Sequence, residues 1–189
     1  MSSDVPPIED PRPDDLASAS SLVLVNTGDG KGKSTAAFGT LLRAVAMGWK
    51  VCVVQFIKSG DWQVGEQKVA EELGVEWISA GEGFTWDSDD LDHDRSIAQR
   101  GWDEAASRIA SGEYRLVVLD EVTYPVNWGW IELDQVLGAI RDRPEKVNII
   151  LTGRDAPAAL IDLADTATEM RSVKHAYESG IRAKKGIDY

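Results

Sequence analysis

Residues 24–35 read LVNTGDGKGKST, a glycine-rich stretch between an apolar run and a segment of helical character. Glycines such as Gly28 and Gly30 let main-chain N–H groups approach an anion closely, and a helix that follows presents the positive end of its dipole. Lys33 adds a full positive charge, and the Ser34 hydroxyl is placed to ligate Mg²⁺. The order of strand, loop and helix predicts a phosphate-binding loop (P-loop).

The loop differs from the usual P-loop pattern at one position. Thr27 stands where the pattern begins with glycine, so the sequence predicts a variant loop. The alternative interpretation is a glycine-rich turn with unrelated lysines, which leaves the strand-loop-helix order unexplained. The predicted nucleotide-binding residues are Thr27, Gly28, Asp29, Gly30, Lys31, Gly32, Lys33, Ser34 and Thr35.

A second part of the predicted site is LVVLDE at residues 116–121, an apolar run that ends in Asp120 and Glu121. A buried strand of this kind delivers two carboxylates to the edge of a sheet. One carboxylate can hold Mg²⁺ directly or through water, and the other can order a water molecule or a second ligand. The alternative is a helix cap or a pair of surface carboxylates. The presence of the P-loop favours the metal site.

Apolar runs alternate with helical segments along the rest of the chain. The predicted strands are 22–26, 51–56, 75–79, 114–121, 147–152 and 167–171. The predicted helices are 34–47, 65–73, 95–110, 132–141 and 156–163, and residues 80–94 are expected to be irregular. Continuous apolar strands separated by helices predict an α/β fold with a mostly parallel sheet of about six strands, covered on both faces. Ligands in such folds bind at the carboxyl ends of the strands.

Residues 1–20 contain four of the seven prolines and five acidic residues, and they are expected to form a flexible N-terminal arm. Residues 21–189 are expected to form a single domain.

The net charge of −12 disfavours a nucleic-acid partner. No apolar run approaches the ~20 residues that span a bilayer. The single cysteine, Cys52, lies in an apolar run and is expected to be a buried thiol, which fits a cytoplasmic location.

Aromatic residues are concentrated in predicted loops near the binding edge. Phe84 and Trp86 lie in GEGFTWD, where they serve either as hydrophobic plugs onto the core or as a ligand platform. Together with Trp62, Trp128 and Trp130, Trp86 is a candidate to line a pocket for a large flat ligand.

The sequence indicates less about the roles of the two histidines than about the roles of the aromatic residues. His93 lies in an acidic run and is expected to be a solvated loop residue. His175 lies in a basic C-terminal stretch that either covers an anionic or amide-rich ligand or forms a surface tail.

A series of motifs occurs along the chain in the order TGDGKGKSTAAFG, VVQFIK, GFTW, VVLDEVTY, ILTGR, LADTATEMR, VKHAY and GIDY. Together they resemble the ATP:corrinoid adenosyltransferases of the cobalamin-biosynthesis type, also called cob(I)yrinic acid a,c-diamide adenosyltransferases. The resemblance runs from about Leu22 to Tyr189. GKGKS alone is shared with many nucleotide enzymes, whereas GFTW and KHAY…GIDY are much more particular.

The resemblance implies a three-layer P-loop fold of the RecA-like type. It implies an enzyme that binds MgATP and a corrinoid whose cobalt has been reduced to Co(I). The cobalt attacks the 5′ carbon of the ribose, and triphosphate leaves. ATP lies in the loop in the reverse sense to ordinary P-loop enzymes, so that C5′ stays free to meet the cobalt. The family is a homodimer, and its reductant is usually a flavoprotein.

The resemblance also implies roles for particular residues. Residues 28–34 cradle the triphosphate, and Ser34 and Glu121 hold Mg²⁺ or Mn²⁺. On chemical grounds, Lys33, the loop N–H groups and the metal neutralise the charge that grows on the departing triphosphate. Phe84 and Trp86 close the lower face of the corrin ring, where they exclude the lower axial ligand and so permit reduction of Co(II).

The chain departs from the family at two places. The family loop usually has asparagine where this chain has Asp29, which is expected to face the ribose or solvent because a carboxylate is unfavourable beside phosphates. The family's charged amphipathic N-terminal helix is replaced by the short, acidic, proline-rich arm.

Two other functions stay open on the residues alone. One is an ordinary P-loop ATPase or kinase, with Glu121 activating water or a substrate hydroxyl. The other is a non-catalytic ATP-dependent switch module. The reaction products distinguish the three functions, and GFTW with KHAY…GIDY favours the adenosyltransferase.

Overall fold

The computed structural model describes residues 13, 15–57, 65–81 and 91–188. One sheet contains six strands in the order β3-β2-β4-β5-β1-β6, and every neighbouring pair is parallel. The strands are β1 (Val23–Thr27), β2 (Val51–Phe56), β3 (Glu76–Ala80), β4 (Leu116–Asp120), β5 (Asn148–Thr152) and β6 (Thr166–Glu169). The predicted α/β class with a six-stranded, mostly parallel sheet is confirmed.

Six α-helices connect or follow these strands in the described part of the chain. They are α1 (Lys33–Ala46), α2 (Gly65–Glu72), α3 (Leu91–Ser111), α4 (Thr123–Asn127), α5 (Leu133–Arg141) and α6 (Ala158–Leu163). A short 3₁₀ helix, Ala176–Ser179, lies near the C-terminus.

The helices cover both faces of the sheet. Successive side chains of a strand point to opposite faces, and Val53 and Val54 of β2 accordingly lie in two different apolar clusters. The cluster on one face contains residues of α1, such as Phe38. The cluster on the other face contains residues of α3 and α5, such as Trp102 and Ile140. This is the three-layer arrangement that the sequence predicts.

The start of α3 differs from the prediction. The sequence predicts a helix from residue 95, whereas α3 begins at Leu91. Asp92 and Asp94 lie in its first turn, where carboxylates interact favourably with the positive end of the helix dipole. Of the stretch predicted to be irregular, residues 82–90 lie outside the described residues.

Helix α4 was not predicted. Its five residues are too few to show a helical period. Pro125 also argues against a helix in sequence, but it lies in the first turn, where the main-chain N–H groups have no intrahelical acceptor. The 3₁₀ helix was also not predicted, because its four residues are too few to show a helical period.

Cys52 lies fully buried in β2, and burial raises the pKa of its thiol to about 12. The prediction of a buried thiol is therefore confirmed. Within the described ranges, no helix is long and apolar enough to cross a membrane.

The order of the strands determines where the candidate site lies. Strand β5 stands between β1, which leads into the glycine-rich loop, and β4, which ends at Asp120. Thr152 at the end of β5 lies in register with Asn26 of β1. Because parallel strands share one carboxyl edge, the loop and the two carboxylates flank the end of β5 on opposite sides.

Candidate functional site

The glycine-rich loop connects β1 to α1 and packs against the chain that follows β6. The Gly30 N–H donates to the Met170 carbonyl at 2.7 Å, and the Met170 N–H donates to the Thr27 carbonyl at 2.8 Å. A Cβ atom on Gly28 would lie 2.5 Å from the Met170 carbonyl oxygen, and one on Gly30 would lie 2.7 Å from the main chain of Arg171. Close approach of this segment therefore requires glycine at both positions.

Two glycines, one near the start of the loop and one near its end, have positive φ angles. Gly32 has a φ of 114° and Gly28 a φ of 94°, both in the region that favours glycine. The Asn26 side-chain amide donates to the Lys33 carbonyl at 3.2 Å, and Thr27 Oγ1 accepts from the Ala156 N–H at 3.1 Å. The first contact holds the start of α1 against the end of β1, and the second holds the end of β1 against the segment before α6. Ser34 and Thr35 follow Lys33 in the first turn of α1.

The Lys33 ammonium is held by the loop itself. Its Nζ donates to the Gly28 carbonyl at 2.7 Å and to the Gly30 carbonyl at 2.8 Å. Burial lowers the pKa of Lys33, and the Arg154 guanidinium lowers it further, while the Glu121 carboxylate acts in the opposite direction. The predicted loop lysine and the predicted carboxylate are therefore close enough to interact electrostatically.

The two carboxylates after β4 lie in different environments. Asp120 is fully buried; its Oδ1 accepts from the Thr152 hydroxyl at 2.7 Å and its Oδ2 from the Gln55 amide at 2.9 Å. Glu121 is partly exposed, has a φ of 60°, and donates its N–H to Thr152 Oγ1 at 2.9 Å. The sequence does not distinguish these two carboxylates, whereas the structure does.

Arg154 was missed by the sequence analysis, although ILTGR was among the motifs. It follows β5 at the same edge of the sheet, and its Nε lies 3.9 Å from Asp29 Oδ1. Gly153 before it has a φ of 142°, and a Cβ atom there would lie 1.9 Å from Thr123 Oγ1. That hydroxyl donates to the Arg154 carbonyl at 2.7 Å. Asp29 itself is exposed, as the sequence predicts for a side chain that faces the ribose or solvent.

The C-terminal segment also reaches the loop. Asp188 pairs with Lys31 and accepts from the Lys184 N–H at 2.7 Å. His175 accepts a hydrogen bond from the Tyr177 N–H through Nδ1 at 3.1 Å, which caps the 3₁₀ helix. His93 is exposed as predicted but lies in α3, so its assignment to a loop was wrong.

Two of the tryptophans predicted to line a pocket, Trp128 and Trp130, lie in the described residues and pack against each other. Trp128 is 40% exposed, and its ring centroid lies 5.7 Å from that of Tyr124 and 4.8 Å from that of Trp130. Burial raises the pKa of Tyr124, and the Glu121 carboxylate raises it further. Tyr124 was missed because α4 was not predicted. The remaining predicted aromatic residues, Trp62, Phe84 and Trp86, lie outside the described residues.

The donor groups suit a metal that arrives with a nucleotide. No group of three or more His, Cys, Asp or Glu side chains that could hold a metal occurs in the described part of the chain. Mg²⁺ usually takes one or two carboxylates and completes its octahedron with phosphate oxygens and water. The Glu121 carboxylate and the Ser34 hydroxyl, on either side of the end of β5, fit that requirement.

Comparison with known proteins gives one family. The model described as ATP:corrinoid adenosyltransferase BtuR/CobO/CobP matches residues 19–189. The corrinoid adenosyltransferase of Escherichia coli strain K12 is 44% identical over 168 residues, which are 89% of this chain and 85% of that protein. The corrinoid adenosyltransferase CobA of Salmonella typhimurium strain LT2 is also 44% identical over 168 residues, with 89% and 85% covered. A corrinoid adenosyltransferase of Pseudomonas aeruginosa is 44% identical over 172 residues, which cover 89% and 83%.

The packing of the loop predicts different effects for two glycine substitutions. Gly30→Ala should lower the free energy of unfolding by about 1–3 kcal/mol, because the new methyl group meets the main chain of Arg171. Gly138→Ala is the control: it lies within α5, has nothing within 4 Å of its Cβ position, and should be neutral or stabilising by up to about 1 kcal/mol. Urea unfolding measures both. Equal stability of the two variants would contradict the close approach.

Proposed function

Because the chain belongs to the ATP:corrinoid adenosyltransferase family, we propose that it transfers the 5′-deoxyadenosyl group of ATP to the Co(I) of a corrinoid. Triphosphate is released, and the product is an adenosylated corrinoid on the route to adenosylcobalamin. The observation that carries the proposal is the family match over residues 19–189, which includes the glycine-rich loop, Asp120–Glu121 and the C-terminal motifs.

The loop is proposed to bind the triphosphate of ATP through residues 27–35. Its main-chain N–H groups and the first turn of α1 present positive charge to an anion. Lys33 exchanges the Gly28 and Gly30 carbonyls for phosphate oxygens when the nucleotide binds. An ammonium that exchanges neutral carbonyls for anionic oxygens gains electrostatic stabilisation, which supports this exchange.

The reaction is a displacement at carbon. The electron pair of Co(I) forms the bond to C5′, the C5′–O bond breaks, and its electrons leave with the triphosphate, so that the cobalt becomes Co(III). No proton is transferred in this step, and a general base has no part in it. What the protein supplies is neutralisation of the charge that develops on the leaving oxygen, which in this site falls to Lys33 and the loop N–H groups.

A divalent metal is proposed to be held by Ser34 and Glu121. Mg²⁺ or Mn²⁺ bound there supplies further positive charge to the phosphate oxygens. The donor set supports this role because a carboxylate and a hydroxyl leave most of the octahedron to phosphates and water.

Phe84 and Trp86 are proposed to act on the reduction of the corrinoid. A flavoprotein is the proposed electron donor, and the two rings are proposed to hold Co(II) without its lower axial ligand. Both residues lie outside the described residues, so the proposal rests on the GFTW motif and on its resemblance to the family.

The remaining proposals concern the whole protein. Residues 21–189 are proposed to act as a single P-loop domain, with residues 1–20 as an arm, in a homodimer located in the cytoplasm. These proposals rest on the resemblance to the family and on the composition of the chain.

The most direct test of the activity is an analysis of its products. Anaerobic incubation with ATP and chemically reduced corrinoid should give triphosphate and adenosylated corrinoid in equal amounts. Liquid chromatography with mass detection measures both. ADP with phosphate, or unchanged ATP, would instead support the ATPase, the kinase or the switch module.

Lys33→Ala should slow adenosyl transfer by about 10²–10³-fold, because one oriented donor to the leaving group is lost. Lys50→Ala is the control. Lys50 is an exposed lysine before β2 that pairs with Glu113, and its replacement should leave the rate unchanged. The rates are measured with chemically reduced corrinoid, and circular dichroism confirms folding. A well-folded Lys33→Ala protein with near-normal turnover would rule out the proposed phosphate site.

Glu121→Gln separates a metal ligand from a hydrolytic base. If Glu121 holds the metal, activity should fall, and excess Mg²⁺ or Mn²⁺ should recover part of it, since the amide oxygen is a weaker ligand. The measurement is the rate as a function of metal concentration. Tight trapping of intact ATP that added metal does not relieve would show that Glu121 acts as a base.

Phe84→Ala and Trp86→Ala should affect two assays differently. Reduction by a flavoprotein should fail or slow greatly, because the lower ligand or water returns to cobalt. Adenosylation of corrinoid already reduced to Co(I) by a strong chemical reductant should be much less affected, since that path omits the step. The absorption spectrum of the Co(II) complex with MgATP reports the four-coordinate form directly. Equal losses in both assays would assign the rings to general binding or folding.

A further inference from the structure

The side chain of Asp120 is buried, and both of its carboxylate oxygens are hydrogen-bonded to other side chains. It is 0% exposed, and each of its two carboxylate oxygens accepts a hydrogen bond, one from Thr152 and one from Gln55. The donors are themselves buried, with Gln55 1% and Thr152 0% exposed. Because Asp120 has no exposed surface, a metal entering with a nucleotide would reach it only if the buried side chains around it moved. The contacts therefore set Asp120 apart from the metal-binding role that the sequence leaves open to either carboxylate.

The direction of the hydrogen bonds at Thr152 follows from its two partners. A carboxylate only accepts, so the single proton of the Thr152 hydroxyl is donated to Asp120. The lone pairs of the same oxygen then accept the Glu121 N–H at 2.9 Å. Thr152 thus connects the buried carboxylate to the main chain of the next residue, Glu121.

The main chain of Glu121 needs such support. Its φ of 60° lies in the left-handed region, which a residue with a Cβ atom occupies only when its surroundings hold it there. This conformation turns the chain after the end of β4, and Val122 separates it from the start of α4. The Glu121 carboxylate then lies close enough to Lys33 and Tyr124 to shift the pKa of each.

The chain of contacts crosses three neighbouring strands. Gln55 of β2 is in register with Asp120 of β4, and Thr152 ends β5, the strand between β4 and the P-loop strand. A buried polar chain in which each member is paired fixes its geometry, because every alternative arrangement leaves a buried group unsatisfied.

We propose that Thr152, oriented by the buried Asp120, is the positioning residue that aims the Glu121 carboxylate at the metal accompanying ATP, and that Asp120 itself does not ligate the metal. The inference rests on the proposed role of Glu121 as a metal ligand. Groups of this kind, which orient a metal ligand without touching the metal, typically contribute about 10–100-fold to metal affinity.

Thr152→Val tests the role of the hydroxyl while keeping the volume of the side chain. The Mg²⁺ concentration that half-saturates ATP binding should rise by about 10–100-fold, while ATP binding without metal should stay unchanged. Calorimetric titration of Mg²⁺ into protein with ATP measures this without any corrinoid. Thermal unfolding of the nucleotide-free variant shows how much of the effect is structural. An unchanged Mg²⁺ requirement in Thr152→Val would overturn the inference.

Thr152→Ser and Thr152→Cys form a matched pair, because the two side chains have nearly the same shape but sulfur is a weak hydrogen-bonding group. Thr152→Ser should keep the Mg²⁺ requirement near that of the unsubstituted protein, and Thr152→Cys should resemble Thr152→Val. If Thr152→Val does not fold, the comparison of the serine and cysteine variants tests the role of the hydroxyl instead. Equal behaviour of the serine and cysteine variants would show that the hydroxyl has no positioning role.

Asp120→Asn, alone and combined with Thr152→Val, separates positioning from direct ligation. If Asp120 acts through Thr152, the double variant should need no more Mg²⁺ than Thr152→Val alone. If Asp120 ligates the metal, the two losses should multiply, and the inference is wrong. Failure of the proposed function has a different signature. ATP binding by the unsubstituted protein would then be independent of Mg²⁺, and the inference would fall with the metal role of Glu121.

Discussion

Three neighbouring strands, β1, β5 and β4, end at one edge of the sheet, and the charged groups of the candidate site follow these ends. Lys33 follows β1 through the loop, Arg154 follows β5, and Glu121 follows β4. None of these positions is set by local sequence alone. A different order of strands would separate the same motifs in space. The Lys33 ammonium and the Glu121 carboxylate would then be too far apart to interact electrostatically. The site is therefore a property of the strand order.

Charge at this edge contrasts with charge over the whole chain. The protein carries a net charge of −12, yet Lys33 and Arg154 lie together where an anion is proposed to bind. Arg154 lies 3.9 Å from Asp29 and Lys33 is held by loop carbonyls, so both cations already have partners in the protein. The triphosphate is proposed to bind there by replacing the loop carbonyls at Lys33 with anionic oxygens, which are stronger acceptors. Such an exchange favours a highly charged anion over a neutral ligand.

The sequence predicts well the secondary structure that carries the candidate site, and it predicts poorly the contacts between those elements. The loop, the strand ending in Asp120 and Glu121, and the six strands are read from local patterns, because each depends on residues close together in the chain. The contact between Lys31 and Asp188 joins residues that are 157 positions apart in the chain. The packing of Gly30 against Arg171 likewise joins residues that are far apart in the chain. Arg154 and Thr152 acquire their places from the position of β5, which no periodicity reveals. Helix α4, with Tyr124, was too short to predict.

Cleavage of the C5′–O bond of ATP distinguishes the proposed adenosyl transfer from every phosphoryl transfer that a P-loop supports. The direct measurement uses ATP that carries ¹⁸O at the 5′ oxygen of the ribose, incubated anaerobically with the protein and Co(I) corrinoid. Mass analysis then locates the label. All of the label should leave with triphosphate, because that oxygen departs with the phosphate chain. Label that stays attached to the nucleoside would show cleavage at phosphorus and would rule out adenosyl transfer.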